Sequence, residues 1–203
     1  MSKLEIYADI WCPFAYVGVI AALAERKGAE SPQPLLIRSW PLELVNGQGL
    51  DPTTTKTHVD ELRDQVAQDL FRGFQIESFP TSTLPALALV AAAYEDDLVQ
   101  GEAISIELRT MFFEEGRDIS DDQVLVHLAR RFDLDPDARL DNERVLVDWH
   151  EGQRRGVMGS PHFFCGDRDI FCPLLEIEKD EHGHLNVARN KERLDAFLAR
   201  CFS

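Results

Sequence analysis

Cys12 lies in the run Asp9-Ile10-Trp11-Cys12-Pro13-Phe14-Ala15-Tyr16, where an extended segment gives way to a helix. A thiol at a helix N-terminus is placed for chemistry, because exposed backbone N–H groups and the positive end of the helix dipole favour its thiolate. On that ground the sequence predicts a Cys12 pKa below the ~8.5 of a free cysteine. Pro13 suits the first helical turn, where a missing N–H breaks no hydrogen bond. Ala15 stands where a C-x-x-C motif would hold its second sulfur. A dithiol enzyme releases its partner by closing a disulfide between two such sulfurs. This chain lacks that local route, so Cys12 is left with monothiol chemistry, resolved by a second, external thiol. The competing fate of such a cysteine is that of a small buried hydrophobe. Asp9, if close to the sulfur, would oppose its ionisation, but it reads as a strand-end residue.

The elements that must hold this thiol can be read on either side of it. Leu4 to Ile10 is short and rich in β-forming residues, which predicts a strand. Pro13 to Lys27 carries Val17, Ile20, Leu23 and Ala24 at helical spacing, and Lys27-Gly28 supplies a cation and a terminating glycine. Far along the chain, Gly156-Val157-Met158-Gly159-Ser160-Pro161-His162-Phe163-Phe164 sets a proline between a Gly-containing approach and an aromatic strand. Strand, thiol, proline and helix resemble the opening of a thioredoxin-type site, whose second half is a cis-proline facing the helix N-terminus.

Three motifs carry a family resemblance. Cys12-Pro13-Phe14-Ala15-Tyr16-Val17-Gly18 is similar to the C-P-W-C-Y-x-G site of the DsbA-like family, which includes FrnE-type cytosolic proteins. Gly156 to Phe164 resembles that family's G-V-x-G-x-P-x-F segment. Phe113-Glu114-Glu115-Gly116-Arg117-Asp118-Ile119-Ser120-Asp121 resembles its F-x-E-G-x-D-I-S-D stretch. They stand in the family's order and frame residues 4 to 165. The resemblance implies an α/β thioredoxin-like fold with an all-helical insertion. It also implies that Ser160 and Pro161 hold an extended thiol substrate against Cys12 through main-chain bonds, in the manner of strand addition. The same fold family holds glutathione-dependent 2-hydroxychromene-2-carboxylate isomerases and kappa-class glutathione transferases, with serine where Cys12 stands. The chain thus departs from the oxidoreductase pattern at Ala15 and from the isomerase pattern at Cys12.

Other residues carry weaker signals. Cys165 and Cys172 flank the turn Gly166-Asp167-Arg168-Asp169 and would form an auxiliary redox pair if register set them face to face; a one-residue slip would part them. Reduced, buried thiols are the expectation in a cytosol, and Cys201 reads as packing in the last helix. A metal set of Cys165, Cys172, His182 and His184 has no usual zinc spacing, and Asp180 to His184 reads as a polar turn, so no metal is expected. His162 follows the proline, and alternation turns it away from Ser160; it reads as a satisfied strand histidine before a general base. Trp11, Phe14 and Trp40 are candidates to line an apolar substrate groove, with core packing as the plainer reading.

With 203 residues, 44% of them hydrophobic, the chain can bury a full core without disulfides or metal. Its net charge of −15 would repel nucleic acid and anionic membranes alike. No apolar run reaches the ~18 residues of a membrane span. The start, Met1-Ser2-Lys3-Leu4-Glu5, lacks the basic region and apolar core of a signal peptide, so a cytoplasmic setting is expected.

A second strand is expected at Leu35 to Trp40, then a loop from Asn46 to Thr57. Amphipathic helices follow: one through Val59, Leu62, Val66 and Leu70, one from Leu84 to Leu98, and one through Ile104, Leu108, Met111 and Phe112. Ser120 with Gln123 reads as a capping box opening a fourth, and Asp135-Pro136 opens a fifth that ends at Gly156. Strands return at His162 to Cys165 and Ile170 to Cys172, and residues 189 to 202 form a last helix. The expected organisation is one domain over residues 1–203. Residues 1–45 and 156–203 make its thioredoxin-like part, and 55–155 the helical insertion.

The leading function is a thiol–disulfide oxidoreductase of monothiol type at Cys12, acting on a protein or small-molecule thiol or disulfide. No cofactor is expected to be tightly bound; glutathione or another small thiol serves as co-substrate. One alternative is a glutathione-dependent isomerase or transferase, which needs a substantial apolar pocket under the insertion. Another is a thioredoxin-like binding module that lost its redox activity with the second cysteine.

Overall fold

Alternation along the first strand already sets out two faces of a sheet. In β1 (Leu4–Ala8), Leu4, Ile6 and Ala8 join the main core, while Tyr7 meets Trp40 and Phe164 in a second cluster. Such two-sided burial marks a central strand with elements packed on both faces. The protein, seen in a computed structural model, is described over residues 3–28 and 33–202; Met1 and Ser2 of the N-terminal run lie outside them. After β1 come α1 (Pro13–Arg26), β2 (Leu36–Ser39), α2 (Leu42–Asn46), α3 (Pro52–Gln65), α4 (Leu84–Asp96), α5 (Leu98–Phe113), α6 (Asp122–Arg131) and α7 (Asn142–Arg155). The chain then returns as β3 (His162–Cys165), β4 (Arg168–Phe171), β5 (Leu175–Lys179), β6 (Leu185–Arg189) and α8 (Lys191–Leu198).

The main sheet has the order β2-β1-β3-β4, with β1 and β2 parallel and the other pairs antiparallel. A parallel β1–β2 pair needs a crossover, and α1 provides it. The five helices α3 to α7 all fall between β2 and β3, as a helical insertion in the thioredoxin order requires. An aromatic cluster joins this insertion to the site helix: Tyr16 of α1 stacks on Phe113 at 4.8 Å, and Phe71, Phe74, Phe79 and Phe112 surround Phe113 or its neighbours. Ring pairs at these separations add to the burial of the rings themselves.

Several elements differ from expectation, each for a local reason. The segment expected to be a loop to Thr57 is helical from Pro52, because Asp51 caps α3 by accepting from the Thr54 N–H at 2.7 Å and Pro52 fills the first turn. That helix stops at Gln65, short of Leu70, and Phe71 takes a left-handed φ of 66°. The predicted capping box at Ser120 is absent: Asp121 is the cap, accepting from Gln123 and Val124, while Ser120 turns back to Asp118. Asp135-Pro136 opens only a short 3-10 turn, and Asp141 caps α7, which ends at Gly156 with φ 73° as expected. At the end of α1, Gly28 closes a turn onto the Glu25 carbonyl without entering the left-handed region. Strands β5 and β6 were not expected at all, although Asp180 does make the polar turn between them, accepting from His182 and His184.

The cysteine expectations need correction. The β3–β4 hairpin pairs Cys165 with Arg168 and His162 with Phe171, so Cys172 falls beyond the strand, opposite Pro161. Cys165 and Cys172 therefore sit at opposite ends of the hairpin and are no redox pair. Cys165 is instead disulfide-bonded to Cys201, with Cα atoms 5.9 Å apart, while Cys12 and Cys172 are free and buried. Cys201 thus does more than pack, and the expectation of uniformly reduced thiols does not hold. The same bond removes Cys165 from the metal set with Cys172, His182 and His184, which is not brought together among the described residues.

Candidate active site

Cys12 is the N-cap of α1, with extended backbone (φ −77°, ψ 112°) and Pro13 behind it in the first turn. Its Sγ donates to the Ser160 carbonyl at 3.2 Å, across 148 positions of sequence. The Ser160–Pro161 peptide is cis. Antiparallel β1–β3 pairing with Tyr7 opposite His162 carries Asp9 to Ser160, and the Asp9 N–H donates to Ser160 Oγ at 2.9 Å. Gly18 lets the proline come this close to α1: a Cβ there would meet Pro161 Cγ at 3.3 Å. The expected meeting of Cys12, Ser160 and Pro161 is therefore present, with Ala15 fully buried beneath the thiol.

Electrostatics at the thiol run against expectation. Burial pushes Cys12 up to about 11, with Asp9 and Cys172 adding to it, while hydrogen bonds to Ser160 and the Ala15 backbone pull against it. The helix N-terminus thus loses to desolvation: only 3% of the residue is exposed. At pH 7 about one thiol in 10⁴ is ionised. Alkylation of Cys12 by iodoacetamide is expected to rise about tenfold per pH unit from pH 7 to pH 10. Peptide-resolved mass spectrometry would measure it, and a plateau below pH 8 would contradict a thiol governed by burial.

Asp9, read as a strand-end residue, is more than that. Its carboxylate accepts from the Ile10 N–H (2.7 Å), the Thr83 hydroxyl (2.8 Å) and the Leu42 N–H (2.5 Å). It therefore ties the cysteine loop to the starts of α2 and α4. Burial pushes its pKa up to about 6. Below it, Arg109 of α5 is 1% exposed and donates to the Asp9 carbonyl at 3.3 Å and to Ser105, while its Nε has no partner among the described residues. Burial lowers that guanidinium to about 10, with Asp9 opposing the fall, so it stays charged at neutral pH. Sequence reasoning missed Arg109, although a lone cation inside the apolar stripe Ile104, Leu108, Met111, Phe112 was a usable signal.

Beside Cys12 opens a cavity of about 220 Å³ lined by Cys12, Pro13, Phe14, Leu42, Leu50, Asp51, Thr54, Thr55 and His58. Phe14 lies on its wall. Trp11 does not: it is 1% exposed and stacks on Phe79 at 5.7 Å, because the residue before the N-cap turns into the core. Trp40 packs on Tyr7 in the second cluster, away from the cavity. His58 was missed, since it fell at the junction between the expected loop ending at Thr57 and the helix through Val59; the Asp51-Pro52 helix start places it on α3. His162 is satisfied: Nδ1 accepts from the Met158 N–H at 3.1 Å, which leaves Nε2–H to donate to Asp169 at 2.9 Å. Burial lowers its pKa, and no general-base role remains for it.

Among the described residues no helix is long and apolar enough to cross a membrane. The probable DsbA oxidoreductase of Streptomyces coelicolor is similar over 84% of this chain and 83% of its own, with 22% identity and a TM-score of 0.63. A 2-hydroxychromene-2-carboxylate isomerase is similar over 83% and 88%, with 17% identity and a TM-score of 0.59. The cytosolic disulfide reductase DsbM of Pseudomonas aeruginosa, in a structure with GSH, matches over 98% of both chains, with 18% identity and a TM-score of 0.59. At such identities these likenesses describe the fold. No curated protein matches in sequence. The DSBA-like thioredoxin domain matches residues 3–178, nearly the whole chain, and the protein belongs to that family.

Proposed function

We propose that the protein exchanges thiols and disulfides one sulfur at a time at Cys12, with a small external thiol such as glutathione closing the cycle. The observation that carries this reading is the placement of Cys12 Sγ 3.2 Å from the Ser160 carbonyl beside Pro161, with alanine at position 15. Attack by Cys12 on a disulfide forms a mixed disulfide and frees one thiol; a second thiol then displaces the partner and restores Cys12. Ser160 supplies the main-chain carbonyl that a bound substrate would take over from the resting Cys12 thiol. The cavity, at about 220 Å³, falls short of the ~300–1,000 Å³ of pockets for drug-sized ligands and suits the cysteinyl end of a small thiol. No tightly bound cofactor is part of this reading. A cytoplasmic setting, rich in reduced glutathione, fits it.

Incubation with glutathione disulfide, followed by peptide mapping, tests the proposal. One glutathionyl group is expected on Cys12, removable by reduced glutathione. No adduct would overturn it and leave the second reading below or a binding module, and an internal disulfide from Cys12 would overturn the one-sulfur route in favour of a two-sulfur exchange.

The raised Cys12 pKa favours a second reading, in which the protonated thiol donates a hydrogen bond to a bound glutathione thiolate during isomerisation or transfer. Cys12→Ser separates the two, because a serine hydroxyl can donate that bond and cannot form a mixed disulfide.

A further inference from the structure

A thiol held at a pKa near 11 is both slow to ionise and slow to leave, so exchange at Cys12 calls for a group that moves its proton. Neither Asp9 nor His162 offers one. The Asp9 carboxylate is engaged by three donors, and His162 is locked between Met158 and Asp169. His58 is differently placed. It stands on α3 in the wall of the cavity that Cys12 also lines, with its ring 5.4 Å from that of Phe14. It is half-buried, and among the described residues nothing hydrogen-bonds to its imidazole. α3 itself is fixed by the β5–β6 hairpin: Gln65 donates to the Leu185 carbonyl and accepts from the Val187 N–H, each at 2.8 Å. The imidazole is thus carried on a braced helix.

We propose that His58 is a catalytic residue, the proton carrier between Cys12 Sγ and the small thiol that occupies the shared cavity. This rests on the monothiol reading above. In the forward direction the Cys12 proton passes to the imidazole as Sγ bonds to one sulfur of glutathione disulfide. The S–S bond of that disulfide breaks, and the departing glutathione sulfur takes the proton from the imidazolium. Cys12 is oxidised to the mixed disulfide, one glutathione sulfur is reduced, and the imidazole ends neutral. Resolution by glutathione is the same path reversed.

Burial holds the His58 pKa below the ordinary histidine value, Glu61 opposing and Lys179 of β5 adding. The cavity also brings Asp51 of the α3 cap and Cys12 of α1 towards it, while α2 contributes only Leu42. A neutral imidazole at pH 7 is the form that accepts a proton.

The test measures both rates and the equilibrium for glutathionylation of Cys12, in the wild-type protein and in His58→Asn, by quenched-flow mass spectrometry at pH 7. Positioned proton transfer contributes about 10²–10⁴-fold, so loading and resolution should both slow by about a hundredfold or more in the variant. The glutathionyl occupancy at a fixed ratio of reduced to oxidised glutathione should stay unchanged, since a proton carrier alters rates and not the end point. Unchanged rates would overturn the proposal and leave the monothiol reading standing. So would slowed rates with a shifted occupancy, which would mark a structural role. Failure of wild-type Cys12 to take any glutathione would instead bring down the monothiol reading, and His58 with it.

Discussion

Ala15→Cys is expected to shorten the lifetime of a Cys12–glutathione mixed disulfide by about a thousandfold or more, and to make its decay independent of added thiol. Position 15 lies one helical turn into α1, and its backbone already sits against Cys12 Sγ. A sulfur there would attack the Cys12 side of the adduct from within the same turn, replacing a bimolecular step with an intramolecular one. The product would be an internal disulfide, with glutathione released. Ala15 is fully buried, so the added atom brings an overpacking penalty of about 1–3 kcal/mol, which a thermal melt would register. Decay followed at several glutathione concentrations is the measurement. A folded variant whose adduct still waited for external thiol would show that the missing sulfur is not what makes this site monothiol.

Asp9→Ala is expected to destabilise the protein by about 4 kcal/mol at pH 4, because it strands the Ile10 and Leu42 N–H groups and leaves the Thr83 hydroxyl with only its longer bond to Glu43 at 3.3 Å. The deficit should then shrink as pH rises. Asp9 titrates near 6 when folded, against an ordinary 3.8, so between those values the folded chain holds a proton that the unfolded chain has lost. Wild-type stability from this group is greatest below pH 4 and falls as pH rises through 6, by about 3 kcal/mol in all. The variant lacks that slope. Urea titrations of both proteins at pH 4 and pH 8 would compare them, and parallel pH profiles would show that Asp9 is not titrating as its burial demands.

What could be read from the chain alone was chemistry encoded locally. Cys12 before Pro13 and the Ser160-Pro161 pair declare themselves by type and spacing, and the fold brings Cys12 Sγ within hydrogen-bonding reach of the Ser160 carbonyl. The helical insertion was legible for the same reason, since periodic apolar residues in α4, α5 and α6 need no distant partner to be recognised. What depended on distant partners was not legible. The Cys12 pKa is set by how deeply the insertion buries the thiol, which no spacing reveals. The Cys165–Cys201 bond follows from the hairpin register and from where α8 docks. Some misses were avoidable: Leu175 and Ile177, then Leu185 and Val187, alternate on either side of a turn that had been identified, which is a hairpin pattern.

The bond between Cys165 and Cys201 turns nearly the last fifth of the chain into a covalent ring. It spans 36 positions and takes in β4, β5, β6 and α8. Closing a ring of that length removes freedom worth about 4 kcal/mol from the unfolded chain. The ring contains the hairpin that braces α3, so the mobility of the cavity wall is limited by a linkage elsewhere in the same core. A protease cut in the Asp180–His184 turn would leave both halves of the hairpin in one molecule. The same protein therefore holds three equally buried sulfurs in two roles: Cys12 is free and lines a cavity, while Cys165 and Cys201 are spent on each other as a staple.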